Sequence, residues 1–503
     1  MTASFPMPRL APAGAVLALS VGLWGCATVG PDFKPPPPPA VAAYAGKGDA
    51  NPTIPVLTAE TRTAGPWWKA LGSPALDGVM TQALSRNQTV AAAVATLDKA
   101  RAEAQRESGA LLPKVMGDAS FQRERINTSV FGFANFPSPT ISLFNIGPTV
   151  SYDLDIVGGG RRRVEAARAA AEGEAHRADA AYLTLTGNVA MQAAIIANVR
   201  AQLDIIDTVA ADDRRAIDIL RASAAAGGGA PSASLGGELQ LAQDLALAPP
   251  LKQRLAQARH ALALLVGESP GAWTAPDFAM ADFTVPTAIP VYVPSILVRQ
   301  RPDIQASESA LHKDTALVGV ATARLYPDIR LVAGIGQEGV TPGSLFGFGA
   351  NAYNFGPSVT VPLFDGGALR ADRRAAQAQA RIDLANYQQT VIAAFVQVSD
   401  VLSALAQDRD RLESLDAAET TARRSLAAAR SAYDLGGAPL ASVVTADRQW
   451  RRAALARSEA LGQKLADVIL LYGATAADWR WPDPSPPKIS LEDKGRAFAH
   501  LGL

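Results

Sequence analysis

Asn145–Arg163 reads NIGPTVSYDLDIVGGGRRR and joins a segment of alternating apolar residues to a long segment rich in alanine and arginine. In its first half, apolar side chains stand at every second position from Ile146 to Ile156, with small or polar side chains between them. A period of two predicts a β-strand with one apolar face. No proline follows until well past residue 220, so this stretch predicts a strand that leads directly into a long helix.

The same signals recur in the second half of the chain. NIGPTVS at Asn145–Ser151 is matched by NFGPSVT at Asn354–Thr360, an offset of 209 residues. GGAPSAS at Gly228–Ser234 is matched by GGAPLAS at Gly436–Ser442, an offset of 208 residues. Two matches at nearly one offset indicate two copies of one structural unit.

Each copy is predicted to contain a pair of strands. Val115–Arg123 alternates weakly ahead of the strand that ends near Ile156, and Ile329–Gln337 precedes a second alternating segment, Phe355–Leu363. Four strands of about ten residues have the length that crosses an outer membrane at a tilt. The loops between paired strands are predicted to carry aromatic side chains that suit an interfacial girdle, although packing inside a soluble sandwich is the alternative. These residues are Phe131, Phe133, Phe136, Phe144, Phe346, Phe348 and Tyr353.

Four strands cannot close a barrel, and open edges in lipid would leave backbone groups unpaired. Other copies of the chain must therefore complete it. Eight strands from a dimer would enclose an interior filled by side chains, whereas twelve from a trimer would leave a pore. We expect the trimer.

Two proline-free stretches, Arg161–Ala226 and Ala368–Leu435, predict helices that would each span roughly 100 Å. Apolar residues in them step by seven, which predicts coiled-coil packing. The stepping residues are Tyr182, Val189, Ile196 and Leu203 in the first stretch, and Leu384, Val391, Val398, Leu405 and Leu412 in the second. After each GGAP turn the chain should return as a further helix, Ser234–Val266 or Ser442–Tyr472, so each turn is the tip of a helical hairpin.

The N-terminus reads as a signal peptide over residues 1–25, because its apolar run is too short to span a bilayer. It ends at Cys26, the single cysteine of the chain, and a proline run, Pro35–Pro39, follows. A cysteine without a partner at such a junction suits lipid attachment; an uncleaved membrane anchor is the alternative. The predicted domains are a lipidated spacer (26–66), a first repeat (67–270, strand pair about 115–156), a second repeat (271–473, strand pair about 328–364) and a tail (474–503).

Several motifs together resemble a known family over nearly the whole chain from Cys26 to Gly473. The sequence is similar to the outer membrane factors of tripartite efflux pumps, the TolC-like channels, and within them to the OprM/NodT-type lipoprotein branch. The motifs are CATVGPDFKPP (Cys26–Pro36), WWKALGSPALDGVMTQALSRN (Trp67–Asn87), YDLDIVGGGRR (Tyr152–Arg162), RQRPDI (Arg299–Ile304), ARLYPDI (Ala323–Ile329), VPLFDGG (Val361–Gly367) and the two GGAP turns.

The resemblance implies a mostly α-helical fold with a transmembrane β-barrel portion. Long antiparallel coiled-coil helices would form a periplasmic α-barrel, and four strands per protomer would contribute to a 12-stranded barrel in a homotrimer. Such a protein would be a passive exit duct, anchored by lipid at Cys26 in the outer membrane and extending into the periplasm. An inner-membrane transporter, expected to be proton-driven, would supply the energy.

The resemblance also implies residue roles at the hairpin tips. A periplasmic adaptor would contact Gly228, Gly229, Pro231, Gly436, Gly437 and Pro439. In related channels an aspartate after the second tip helps to close the pore, and here the matching position is Thr445, with Asp447 two residues later. Both residues are candidates for a pore gate, with a solvated surface aspartate as the alternative for Asp447.

Charge and motif content exclude several other functions. Lys+Arg and Asp+Glu each total 47, which leaves no excess of positive charge for nucleic acid. GIGQEG at Gly334–Gly339 fits a dinucleotide-binding pattern, but it lies in a predicted strand and no helix follows. Only Glu308 and His312 have the helical spacing of metal ligands, so we expect no metal, no cofactor and no enzyme. A lipid-anchored periplasmic adaptor is the main alternative, because it too combines an anchor, hairpins and strands.

Overall fold

The structure is a computed structural model that describes residues 28–37, 44, 66–127, 132, 137–228, 230–286 and 297–476. Several predicted features lie outside the described residues: the signal peptide, Cys26, the end of the proline run and the tail from Trp479 to Leu503. The same is true of Gly229, Phe131, Phe133 and Phe136.

The described chain is mostly helical and contains a small antiparallel sheet. Its helices are α1 (Pro74–Arg86), α2 (Gln88–Gly109), α3 (Gly159–Ala225), α4 (Pro231–Leu245), α5 (Ala248–Val266), α6 (Pro302–Ala323), α7 (Ala368–Asp434) and α8 (Leu440–Thr475). Its strands are β1 (Lys114–Arg125), β2 (Thr140–Leu154), β3 (Asp328–Gly339) and β4 (Asn351–Thr360). Short 3₁₀ segments lie at Trp67–Leu71, Met280–Asp282, Pro342–Phe346 and Phe348–Ala350.

The predicted helical return after the first tip is wrong in one respect. A single helix over Ser234–Val266 was expected, but α4 ends at Leu245 and α5 begins at Ala248. Pro249 and Pro250 are the cause, because proline has no backbone N–H and cannot continue a helix that precedes it. The matching return after the second tip contains no proline, and α8 runs unbroken over Leu440–Thr475.

The aromatic residues near the strand ends are also placed differently from the prediction. Phe144 lies inside β2 and its ring centroid is 4.8 Å from that of Phe121 on β1. Tyr353 lies inside β4. Phe346 and Phe348 do lie in the connection between β3 and β4, and their side chains are 90% and 99% exposed.

The chain divides into two compact units, and the first contains the sheet. Among its described residues, this unit comprises 28–37, 96–127, 132, 137–174 and 306–388. The strand order is β1-β2-β3-β4 and every neighbouring pair is antiparallel. β1 and β4 are therefore the two open edges of the sheet in a single copy of the chain.

The second unit contains the main hydrophobic core among its described residues, which are 44, 66–95, 175–228, 230–286, 297–305 and 389–476. Trp67 is 1% exposed and stacks on Tyr472 with ring centroids 5.1 Å apart. Its Nε1 donates to Thr186 Oγ1 at 3.3 Å, so the indole has a partner for its polar atom. Asn87 ties α2 to the end of α5, because its carboxamide oxygen accepts from the Thr89 amide and its Nδ2 donates to the Leu265 carbonyl.

The residues that step by seven mostly face this core. Tyr182, Val189 and Ile196 on α3 are buried, as are Val391, Val398 and Leu412 on α7, whereas Leu384 is exposed. Both long helices contain an 18-residue window apolar enough to cross a membrane by length and composition. Half of the α3 window is buried within the chain, but only 28% of the α7 window is. The α7 helix therefore has apolar surface that the described part of the chain does not cover.

Candidate functional site

The sheet has one apolar face and one polar face. Alternate residues of a strand point to opposite sides, and the register sets like residues beside one another across all four strands. Val150, for example, pairs with Val115 on β1 and with Ala333 on β3. The apolar face carries Val115, Phe121, Phe144, Ile146, Val150, Tyr152, Leu154, Ile329, Leu331, Ile335, Tyr353, Phe355 and Val359.

The height of the apolar face matches a bilayer. On β2 it runs from Phe144 to Leu154, ten residue steps or roughly 33 Å of strand. A tilt of about 40° reduces this to roughly 25 Å, the height of the apolar band on a membrane barrel. Several of its side chains are well exposed in the single chain, including Val115 at 68% and Phe355 at 78%. Exposed apolar side chains in such a band suit contact with lipid.

The opposite face of the sheet is polar. It carries Lys114, Asp118, Asn145, Thr149, Ser151, Asp153, Arg330, Glu338, Asn354 and Ser358. Arg330 and Asp153 are direct cross-strand partners, and the Arg330 Nε donates to Asp153 Oδ1 at 2.5 Å. In a closed barrel whose apolar face meets lipid, this face would line the interior.

Two aspartates fix the junctions where β2 leads to α3 and β4 leads to α7. The Asp155 carboxylate accepts hydrogen bonds from the amides of Gly160 and Arg161, both at 2.8 Å, and so caps the start of α3. Asp365 accepts from the amides of Gly367 and Leu369 at the start of α7. These amide donors favour the charged carboxylate and hold the pKa of Asp365 below its usual value.

Residues 28–37, which we term the N-terminal arm, are bound to the first unit by a buried arginine. Arg162 is 4% exposed; its guanidinium donates to the Val29 carbonyl at 3.2 Å and forms an ion pair with Asp32. The Val29 amide in turn donates to the carbonyl of Val157, just beyond β2, at 3.0 Å. Phe33 stacks on His312 with ring centroids 4.4 Å apart. The first described residues of the N-terminal arm therefore lie beside the end of β2.

The two hairpin tips share one hydrogen-bond pattern. The Gly228 amide donates to Ser223 O and the Gly437 amide donates to Ala432 O, at 2.9 and 2.8 Å. The preceding residues, Gly227 and Gly436, have φ angles of 75° and 76° in the left-handed region. This is a Schellman end, in which glycine avoids the steric penalty of a Cβ atom.

The next helix begins just beyond each tip. Pro231 is the first residue of α4, and Pro439 immediately precedes α8. Gly229 lies outside the described residues. Contact between these tips and an adaptor stays a prediction.

The structure separates the two gate candidates. Thr445 is exposed, and its hydroxyl donates to the Ala441 carbonyl of its own helix at 2.8 Å. Asp447 is 7% exposed and forms an ion pair with Arg451 one turn later, so the alternative of a solvated surface aspartate is wrong. Burial raises the pKa of Asp447, and the positive charge of Arg451 opposes that shift. A role of either residue in closing a pore stays a prediction.

Arg451 is the centre of a buried cluster that the sequence analysis missed. Its guanidinium donates to Asp212 Oδ2 at 3.0 Å and to the Val209 carbonyl at 2.7 Å, and it lies 3.4 Å from Asp213 Oδ1. The helical spacing of Asp447 and Arg451 is visible in the sequence and could have suggested their pairing. The partners on α3 are more than 230 positions away, and no local pattern indicates them.

The remaining sequence candidates do not form a catalytic or metal site within the part of the chain that the structure describes. Gly334–Gly339 occupies the end of β3, and the next element is a 3₁₀ segment. His312 Nε2 lies 3.1 Å from Glu165 Oε1 while its ring stacks on the arm. No group of three or more potential metal-ligating side chains occurs among the described residues.

Comparison with known proteins gives one consistent result. A family model described as outer membrane efflux protein matches residues 79–268 and 293–477. The chain is 26% identical to nodulation protein T of Rhizobium leguminosarum bv. trifolii, over 90% of this chain and 94% of that protein. It is 30% identical to the fusaric acid resistance protein FusA of Burkholderia cepacia, over 73% of this chain and 69% of that protein. The solved structure of the outer-membrane channel OprN is similar with a TM-score of 0.81 and 26% identity, over 90% of this chain and 99% of that one.

Proposed function

This chain belongs to the outer membrane efflux protein family, and from that premise we propose that three copies of it form a passive exit duct through the outer membrane. Each copy would supply four strands to a 12-stranded barrel. The family consists of outer membrane efflux proteins, and OprN, whose solved structure is similar to this chain, is a channel rather than a periplasmic adaptor. The duct would therefore move small molecules or ions without chemistry of its own.

The observation that carries this proposal is the four-stranded sheet with two open edges and two contrasting faces. Unpaired backbone groups at the edges of β1 and β4 would each cost several kcal/mol in lipid. Pairing β4 of one copy with β1 of the next removes every edge once the ring closes. A ring of three leaves an interior wide enough for a channel, with the polar face inward.

The long helices support assembly from several copies. Ile382, Ile392 and Val396 on α7 are each more than half exposed in the single chain. Neighbouring helices of other copies would cover such side chains in coiled-coil fashion. The apolar window of α7 then belongs to a helical tube in the periplasm rather than to a membrane span.

The duct requires partners that supply energy and cargo. We propose a periplasmic adaptor that contacts the two tips at Gly228–Pro231 and Gly436–Pro439, and an inner-membrane transporter that is proton-driven. The described tips are exposed apart from the half-buried Ala438, and they share one geometry, so one adaptor motif could bind both. Relatives are named for traits as different as nodulation and fusaric acid resistance, so we propose that the transporter selects the cargo.

The anchor and the internal duplication complete the proposal. Cys26 would carry fatty-acyl chains after removal of residues 1–25. The order strand, strand, long helix, returning helix occurs in both halves of the described chain, which supports two repeats at 67–270 and 271–473. The two compact units each draw residues from both proposed repeats.

Single-channel conductance in a planar bilayer, with the oligomeric mass measured on the same purified sample, tests the duct. Trimeric mass with discrete conductance steps is the expected result. A monomer without conductance would contradict the barrel and favour the alternative function of a periplasmic adaptor. A trimer without conductance would reject the open pore while keeping the assembly.

A further inference from the structure

Two aspartates from the two arms of the first helical hairpin face each other. Asp213 on α3 is 7% exposed, and its carboxyl group interacts with that of Asp244 on α4. The buried Oδ2 of Asp213 has no donor among the described residues. Two ionised carboxyl groups held against each other repel, so such a pair favours the state in which one of them carries a proton.

The second hairpin contains an equivalent pair. Asp408 on α7 is 7% exposed and Asp467 on α8 is 6% exposed, and their carboxyl groups interact with each other. Here too a buried oxygen, Asp408 Oδ2, has no donor in the described part of the chain. Gln463 donates to Asp467 Oδ2 at 3.1 Å, which leaves the other Asp467 oxygen for the pair.

Each pair lies symmetrically about its tip. Asp213 and Asp244 are 15 positions before and 16 positions after Gly228. Asp408 and Asp467 are 29 positions before and 30 positions after Gly437. Antiparallel arms of equal rise place such positions side by side, at roughly 22 Å and 44 Å from the respective tips.

We propose that each helical hairpin is held together by one proton shared between facing carboxyl groups, Asp213 with Asp244 and Asp408 with Asp467, so that its arms pair more tightly at mildly acidic pH than at neutral pH. The inference goes beyond the proposed duct and does not depend on it. Loss of the proton leaves two negative charges opposed, of which both are buried in the second hairpin and Asp213 alone is buried in the first, and the arms separate more easily.

The charged surroundings of each pair decide how strongly it holds the proton. Asp213 also faces Arg451 and Asp447 from α8, with Asp212 beside it on its own helix. Arg451 favours the charged form, whereas burial and the neighbouring carboxylates oppose it. Asp408 faces Lys464 from α8 and Arg411 from its own helix, and both favour the charged form. Burial outweighs these basic groups and raises the pKa of Asp213 and of Asp408 to about 6.

The sign of the effect follows from these shifts. An aspartate whose pKa is raised on folding stabilises the folded chain when it is protonated. Its contribution is fully present below pH 3.8, the ordinary value, and is lost as the pH rises through about 6. The two arms of each hairpin are therefore expected to pair more tightly below pH 6 than above it.

The test uses the full-length protein and its asparagine variants. Asparagine has the shape of a protonated aspartate and donates to the facing carboxylate at any pH. The wild type is expected to melt at a higher temperature at about pH 5 than at about pH 7.5, by about 1–2 °C for each pair. Asp408→Asn should raise the melting temperature at the higher pH and remove its share of the pH dependence, and Asp213→Asn should do the same for the first hairpin.

Matched controls lie on the same two helices. Asp410→Asn and Asp218→Asn change side chains that are 62% and 76% exposed, and both should keep the wild-type pH dependence. Equal pH dependence in Asp408→Asn and Asp410→Asn would overturn the proposal.

A second measurement does not rely on a variant that folds. The infrared carbonyl band of protonated carboxylic acids should be present in the wild type at about pH 5 and should fade as the pH rises through about 6, with a contribution from Asp314, whose pKa is also raised to about 6 by burial and by Asp383. Absence of that band at about pH 5 would overturn the shared protons, whatever the melting temperatures show.

Discussion

Arg162 is the residue on which attachment of the N-terminal arm depends. We predict that Arg162→Met releases the arm, because it leaves the Val29 carbonyl and the Asp32 carboxylate without their donor. The side chain of Asp32 is 81% exposed, so loss of its ion pair costs about 0–1 kcal/mol, and loss of the hydrogen bond to the Val29 carbonyl costs about 1–2 kcal/mol more. Hydrogen exchange measured by mass spectrometry should show faster exchange at the Val29 amide.

The neighbouring arginine supplies the control for this change. Arg163 is 52% exposed on its side chain and lies 4.0 Å from Glu107, so Arg163→Met should leave exchange at Val29 unchanged. Equal exchange in both variants would mean that the arm is held without Arg162, by Phe33 and the backbone contact alone.

At the scale of the elements, the two faces of β2 predict opposite results from adjacent substitutions. Val150→Lys places a charge in the apolar band, which costs about 2–4 kcal/mol at the bilayer midplane. Thr149→Lys places the same charge on the polar face, where water can solvate it. We expect Val150→Lys to reduce the amount of protein in outer-membrane fractions, and Thr149→Lys to insert normally.

Each variant serves as the control for the other, because both add one lysine to the same strand, β2. Quantitative blotting of membrane fractions measures the outcome. Normal insertion of Val150→Lys together with loss of Thr149→Lys would show that the assignment of the two faces is inverted.

Most elements could be predicted from the sequence because their signals are local. Alternation indicates β2, absence of proline indicates α3 and α7, and the GGAP repeats mark both tips. The prediction that Phe144 and Tyr353 lie in loops is wrong, because pairing with Phe121 and with Ile335 extends β2 and β4 to include them. In the cluster around Arg451, the partners on α3 lie more than 230 positions away in the sequence, so no local spacing predicts their contact.

At the scale of the whole molecule, lipid attachment should affect delivery more than assembly. Cys26→Ser removes the sulfur that would carry the acyl chains and leaves the strands and helices of the body unchanged. We predict that this variant still forms trimers in detergent but reaches the outer membrane in smaller amounts, because stable anchoring needs more than one acyl chain. Membrane fractionation and native mass measure the two effects separately. Unchanged processing and localisation would contradict lipidation.

The open edges of the sheet also predict whether mutations in them would be dominant or recessive. If β1 of each copy must pair with β4 of the next, one copy with a damaged edge spoils the ring that contains it. A cell that makes normal and damaged chains in equal amounts and mixes them freely would build only roughly one intact trimer in eight. Edge mutations in β1 or β4 would then be dominant over a normal second copy of the gene, whereas mutations that unfold the chain before assembly would be recessive.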